Sequence, residues 1–270
     1  MTGRIVAPDV REDPVGTLSL LARQGYRLVL VDITHLDALA IVARRFPKTH
    51  FAFFDGPLDA LGSRPRNVEA VVLQPNEAAF LAGWLAARLE QRRAGKDVVG
   101  AVGGVRTPPV DDFIEGFAAG ARSADPHIHV LRGYSGDFLD PNKCAAIARS
   151  QIENGAGTVF DVAGNCGRGV LQAAREAGVW GIGVDSDLAF LGRHILTSVV
   201  KNYEAGFLAL LRQVRDGEFR GGVTTTLALR DGGASLGRIS PKVPPSLRAE
   251  LRRVRSRILA GTIHVPLAKD

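Results

Sequence analysis

A recurring alternation constrains this chain more than any single motif does. Short apolar runs with few or no charges at 26–31, 50–54, 67–73, 97–102, 128–131, 158–162, 179–184 and 196–200 are mostly separated by stretches with helical spacing of their apolar residues. Uncharged runs of this length read as strands buried on both faces, and strands alternating with amphipathic helices predict a parallel sheet in an α/β fold. In such sheets ligands bind beyond the carboxyl ends of the strands. The run 179–184 ends in Asp185-Ser-Asp187, and the run 196–200 ends in Lys201. A carboxylate accepts hydrogen bonds and an ammonium donates them, so an acid and a lysine at adjacent strand ends suit a polyhydroxylated ligand. The same spacing also fits a plain surface ion pair.

At 270 residues the chain exceeds one ordinary core and fits two lobes. Its first strand is expected at 4–7, stopped by Pro8, and a helix at 14–23. The long helix expected at 76–93 has Asn76 as a capping residue and Gly83 as a place where a neighbouring element can approach closely. After the strand at 97–102 and Gly103-Gly104, the two-proline segment 105–110 reads as a crossing between lobes. The expected division is therefore 1–104 with 201–226, and 105–200 with 227–270. The glycine-rich loop 133–141 carries Phe138, an aromatic able either to stack on a ligand or to fold back on the core. Ala163-Gly-Asn-Cys-Gly-Arg-Gly169 opens a helix, where free backbone N–H groups suit oxygen ligands and make Gly164 and Asn165 candidates. A helix is expected at 244–260 and a last short strand at 263–265.

Composition bounds the partners. Thirty-four Lys and Arg against 28 Asp and Glu leave a net charge of +6, which favours anionic partners in general. The excess gathers at Arg248, Arg252, Arg253, Arg255 and Arg257 on one late helix, a pattern read first as a solvated face, and no nucleic-acid binding is expected. Cys144 and Cys166 lack metal-ligand spacing, so no structural zinc is expected, and a disulfide between them is left open. No Walker or Rossmann fingerprint is present, and neither cofactor nor metal is expected. No run approaches the roughly 20 apolar residues of a transmembrane helix. The residues from Met1 to Pro8 show neither a signal core nor a lipid-attachment cysteine.

The motifs Gly183-Val-Asp-Ser-Asp187, Leu196-Thr-Ser-Val-Val-Lys201, Phe80-Leu-Ala-Gly83, Val102-Gly-Gly104, Phe113-Ile-Glu-Gly-Phe117, Asp137-Phe-Leu-Asp-Pro141 and Asp231-Gly-Gly233 together resemble the basic membrane protein family of substrate-binding proteins. That family includes the purine nucleoside receptors of ABC importers. The resemblance covers nearly the whole chain. It implies a type I periplasmic-binding fold: two doubly wound parallel-sheet lobes joined by a hinge, with the ligand between them. It also implies that Asp185 and Lys201 hydrogen-bond ribose hydroxyls, that Phe138 stacks on the base, and that Gly164 lends backbone. Asp55, at the end of a first-lobe strand, is a further candidate by position. Family members begin with an additional strand and helix whose loop supplies a second stacking aromatic, and this sequence is expected to open at the family's second strand, without that pair. A sheet without its central first strand is expected to have unpaired edges.

The leading expectation is a solute-binding receptor that captures a nucleoside-like ligand, a purine nucleoside by kinship, and presents it to an ABC permease. The alternative is a ligand-sensing domain of an intracellular regulator. The expected location is the extracytoplasmic face of the cell membrane if the start is truncated, and the cytoplasm if the chain is complete as written. An enzyme is not expected: the six histidines are scattered and no nucleophile sits in an elbow motif.

Overall fold

The computed structural model describes residues 13–95 and 97–268. The strand expected at 4–7 lies outside the described residues. In chain order the elements are α1 (Pro14–Arg23), β1 (Leu28–Val31), α2 (Leu36–Arg45), β2 (His50–Phe54), β3 (Val68–Leu73), α3 (Asn76–Glu90), β4 (Val98–Gly103), α4 (Pro108–Ala124) and β5 (His129–Tyr134). Then follow α5 (Pro141–Glu153), β6 (Thr158–Val162), α6 (Gly167–Ala177), β7 (Trp180–Asp185), β8 (Ile195–Lys201), α7 (Tyr203–Asp216), β9 (Val223–Leu227), β10 (Ala234–Leu236) and α8 (Pro245–Leu259). The expected α/β alternation is present.

The chain divides into two compact units, one of residues 1–73 and 203–227, the other of 74–202 and 228–270. Residues 74–104, expected in the first lobe, belong to the second unit. The reason is pairing: β4 is hydrogen-bonded on one side to β5 and on the other to β6. A buried apolar run satisfies any sheet, and only its partners decide which one it joins.

Unit one holds a parallel sheet in the order β1-β2-β3-β9. Leu39, Val42, Phe51 and Phe53 are fully buried between this sheet and α1 and α2. Each such side chain contributes roughly 1.5–3 kcal/mol by leaving water. On the other face α7 lies close to β2 and β3, because Gly206 leaves room for the ring of Phe54 and the side chain of Val71. The outer strand β1 pairs only with β2 among the described residues, and Leu30 on it is exposed.

Unit two holds six strands in the order β10-β8-β7-β6-β4-β5, parallel except for β10 against β8. Helices α3 and α4 cross at backbone contact. A Cβ on Gly83 would stand 1.9 Å from the Phe117 carbonyl oxygen, and one on Gly120 would stand 1.9 Å from that of Phe80. The close approach expected at Gly83 is thus made, and it is reciprocal.

Four local expectations are corrected. Residues 105–110 do not form a crossing segment: Pro108 occupies the first turn of α4, where a missing N–H costs nothing. Asn76 does not cap α3 but donates from its side-chain amide to the carbonyls of Val265 and Pro266. Residues 263–265 form no strand. Arg248 is not part of the solvated face of α8, since its guanidinium donates to the carbonyls of Val243 and Ser240. Arg252, Arg253, Arg255 and Arg257 are exposed as expected.

Candidate ligand-binding site

In unit two the candidate residues gather at the carboxyl ends of the strands. Asp185 is the last residue of β7 and adopts φ 64°. The Ser186 N–H donates to the Val184 carbonyl at 2.7 Å, closing a three-residue turn centred on Asp185. Positive φ is uncommon outside glycine, aspartate being among the residues that tolerate it, and residues held in sparsely populated backbone regions cluster at functional sites. Asp185 lies opposite Val200 on β8, so Lys201, the next residue, ends its strand beside the carboxylate-bearing turn. The Lys201 ammonium stands 5.6 Å from the Phe113 ring centroid, within cation–π range.

Phe138 does not fold back into the core; 40% of its surface is exposed. Its ring rests on Gly104, where a Cβ would come within 2.4 Å of ring carbons, and its flank meets Gly164. Asp137 builds the support. Its carboxylate accepts from Lys143 at 2.7 Å and from the N–H groups of Leu139 and Asp140, which together hold its pKa down at about 2. Asp140 then caps α5 through the Asn142 N–H at 2.9 Å. Much of the Asp137–Pro141 motif therefore serves to fix one aromatic ring.

The neighbouring turn is braced as well. Gly164 has φ 56°, its carbonyl accepts the Gly167 N–H, and the Cys166 N–H donates to the Phe138 carbonyl at 3.0 Å. Cys166 is joined to Cys144 by a disulfide, which ties α5 to the start of α6 and leaves no free thiol on either residue. Asn165 is exposed within this turn.

Three features were missed or misread in the sequence. Asp161, in β6, is buried, and that burial, with the nearby Asp185 charge adding to it, outweighs the Ala163 N–H bond and pushes its pKa up to about 7. Its signal was an acid inside an otherwise apolar run. Asp111 accepts from the Tyr134 hydroxyl, and burial together with that bond raises the Tyr134 pKa to about 12. Asp187 serves its own turn: it accepts from the Ala189 N–H at 3.1 Å and from Arg238 at 3.1 Å.

Within unit one, Asp55 follows β2 and also adopts a left-handed backbone, with φ 70°. The Tyr203 hydroxyl donates to it at 2.6 Å, and the Tyr203 ring meets Phe54 edge-on at 5.6 Å. Tyr203 opens α7 and drew no functional expectation from sequence. Among the described residues no group of three or more His, Cys, Asp or Glu could hold a metal ion, and no helix is long and apolar enough to cross a membrane.

Comparison with known proteins adds to this geometry. The family model for Bmp, described as an ABC transporter substrate-binding protein, PnrA-like, matches residues 4–269. The ABC transporter nucleoside-binding protein BmpA of Lactococcus lactis subsp. cremoris is 28% identical over 263 residues, covering 90% of this chain and 72% of that one. Basic membrane protein B of Borrelia garinii subsp. bavariensis is 34% identical over 236 residues, covering 85% and 68%. Among solved structures, an ABC transporter solute-binding protein from Conexibacter woesei superposes with a TM-score of 0.77 at 28% identity, over 94% of this chain and 85% of that one. One from Aeropyrum pernix reaches 0.79 at 22% identity, over 95% and 82%, and speaks to the fold alone.

Proposed function

The chain belongs to the Bmp family of PnrA-like ABC transporter substrate-binding proteins, and we propose that it captures a nucleoside-like ligand for delivery to an ABC permease. The observation that carries the ligand class is the left-handed turn at Asp185, set beside the strand-end Lys201. A vicinal diol offers two donors and two acceptors, and a carboxylate with an ammonium complements both. Each such hydrogen bond contributes about 0.5–1.5 kcal/mol, more where the protein partner is charged. Phe138 provides the flat apolar face that a nucleobase needs, held open to solvent by Gly104 and Gly164. Gly164 and Asn165 add backbone and amide groups. The description of the Lactococcus relative as nucleoside-binding supports the same ligand class.

The family match favours this reading over the sensing domain of a regulator. The Cys144–Cys166 disulfide supports an extracytoplasmic location, since such bonds persist in oxidising compartments.

Thermal unfolding with guanosine, inosine, adenosine, uridine and free ribose tests the proposal. A ligand at 100 times its dissociation constant stabilises by about 2.7 kcal/mol, which several degrees of shift would register. The control is Asp185→Asn rather than Asp185→Ala, because asparagine tolerates the left-handed backbone and removes only the charge. A shift with purine nucleosides that collapses in Asp185→Asn is expected. A cooperative melt unmoved by every nucleoside would overturn the ligand class.

A further inference from the structure

We propose that Asp161 is a positioning residue for this site, its buried carboxyl setting the 163–167 turn that supports Phe138. The proposal rests on the reading of that strand edge as the ligand site. Asp161 lies in β6 next to Val102 of β4 and is 2% exposed. Its Oδ1 accepts the Ala163 N–H at 2.9 Å, which starts the turn carrying Gly164 and Asn165. The first residue of α6 sits directly on the carboxyl: a Cβ at Gly167 would stand 1.6 Å from Oδ1. One side chain thus touches both ends of the turn that supports Phe138.

The surroundings offer this carboxyl little to hold a charge. Strand β4 presents Val102 and Gly103 beside it, α6 presents Gly167, and Cys166 is locked in its disulfide. The charge that acts on it is another carboxylate, Asp185, from β7. No cation among the described residues forms an ion pair with it. A buried acid in this setting is held in its neutral form, and its ionisation near neutral pH adds a second negative charge that acts on Asp185. Ionisation strengthens the Ala163 bond but leaves an uncompensated charge in a buried place and against the Asp185 carboxylate, so the strand edge offered to a ligand becomes pH-dependent.

Two measurements on the intact chain test this. In the first, nucleoside affinity is followed from pH 5.5 to pH 8.5 for the natural chain and for Asp161→Asn, which keeps the shape and cannot ionise. The natural chain is expected to lose affinity above neutrality, by up to tenfold per pH unit, while the variant stays flat over the same range. Matching profiles would overturn the proposal. In the second, needing no ligand, the side-chain carboxyl signal of Asp185 is titrated by carbon NMR. A second inflection near neutral pH, present in the natural chain and missing in Asp161→Asn, is expected, and identical titrations would overturn it. If no nucleoside binds at any pH while the NMR difference is seen, the ligand class fails and the coupling of Asp161 to Asp185 stands.

Discussion

Two aspartates of this chain, Asp55 and Asp185, follow or end strands with left-handed backbone, and these are the two non-glycine residues described with positive φ. Their identity was legible as an acid at a strand end, but their conformation was not, because aspartate is compatible with several backbone regions and the local residues do not choose among them. Asp161 was illegible for the opposite reason. In sequence it is one polar residue in a strand, and only the packing of β4, β7 and α6 around it reveals full burial. That burial has a thermodynamic signature. Its pKa rises from 3.8 when unfolded to about 7 when folded, so the folded state holds the proton over that interval. The stability tied to the neutral form is fully present below pH 4 and is lost as pH rises through 7. The cost is on the order of 4 kcal/mol at its upper bound. Urea unfolding at pH 5 and pH 8 should therefore show a fall in stability for the natural chain that Asp161→Asn largely removes; equal falls in both would assign the slope to other groups.

At the scale of elements, the loop carrying Phe138 shows how a motif becomes a platform. Asp137 gathers Lys143 and two N–H groups, Asp140 caps α5, and Gly104 leaves a flat bed for the ring. None of these contacts needs a ligand, so the platform is preformed and its removal should separate binding from folding. Gly104→Ala drives a methyl group to within 2.4 Å of the ring and 3.1 Å of the Asp137 carbonyl, and the ring must move. Overpacking of this kind costs typically 1–3 kcal/mol in a tight site, less where an exposed ring can swing away. The expected result is a cooperative melt lowered by a few degrees at most, with nucleoside affinity reduced at least tenfold. Affinity unchanged in Gly104→Ala would remove Phe138 from the binding surface. The strands and helices themselves were legible from apolar spacing, and so was the contact at Gly83. What spacing could not show is partnership, and residues 74–104 illustrate it: β4 joins β5 and β6 through backbone hydrogen bonds that any apolar run could make.

For the whole molecule the decisive fact is that the two units are built on separate cores. Unit one centres on Phe51, Phe53 and Leu39, and unit two on Phe117, Phe160 and the α3–α4 crossing. The Cys144–Cys166 disulfide lies wholly within unit two and bridges 22 residues of chain. Spacing alone could neither pair these cysteines nor exclude pairing, since closure depends on how α5 and α6 lie against each other. A loop of that length stabilises by about 3 kcal/mol in the chain-entropy account, and it does so for the unit that contains it. Unit one has no cysteine and so no such closure, and Leu30 on its outer strand β1 is exposed. Calorimetry should then resolve two unfolding components. Reductant should lower the component belonging to unit two by several degrees and leave the other in place, since the entropy of a closed loop is local to the core that buries it. A single transition displaced as a whole would show instead that the units unfold as one cooperative body, and the stability of the ligand site would then depend on both cores together.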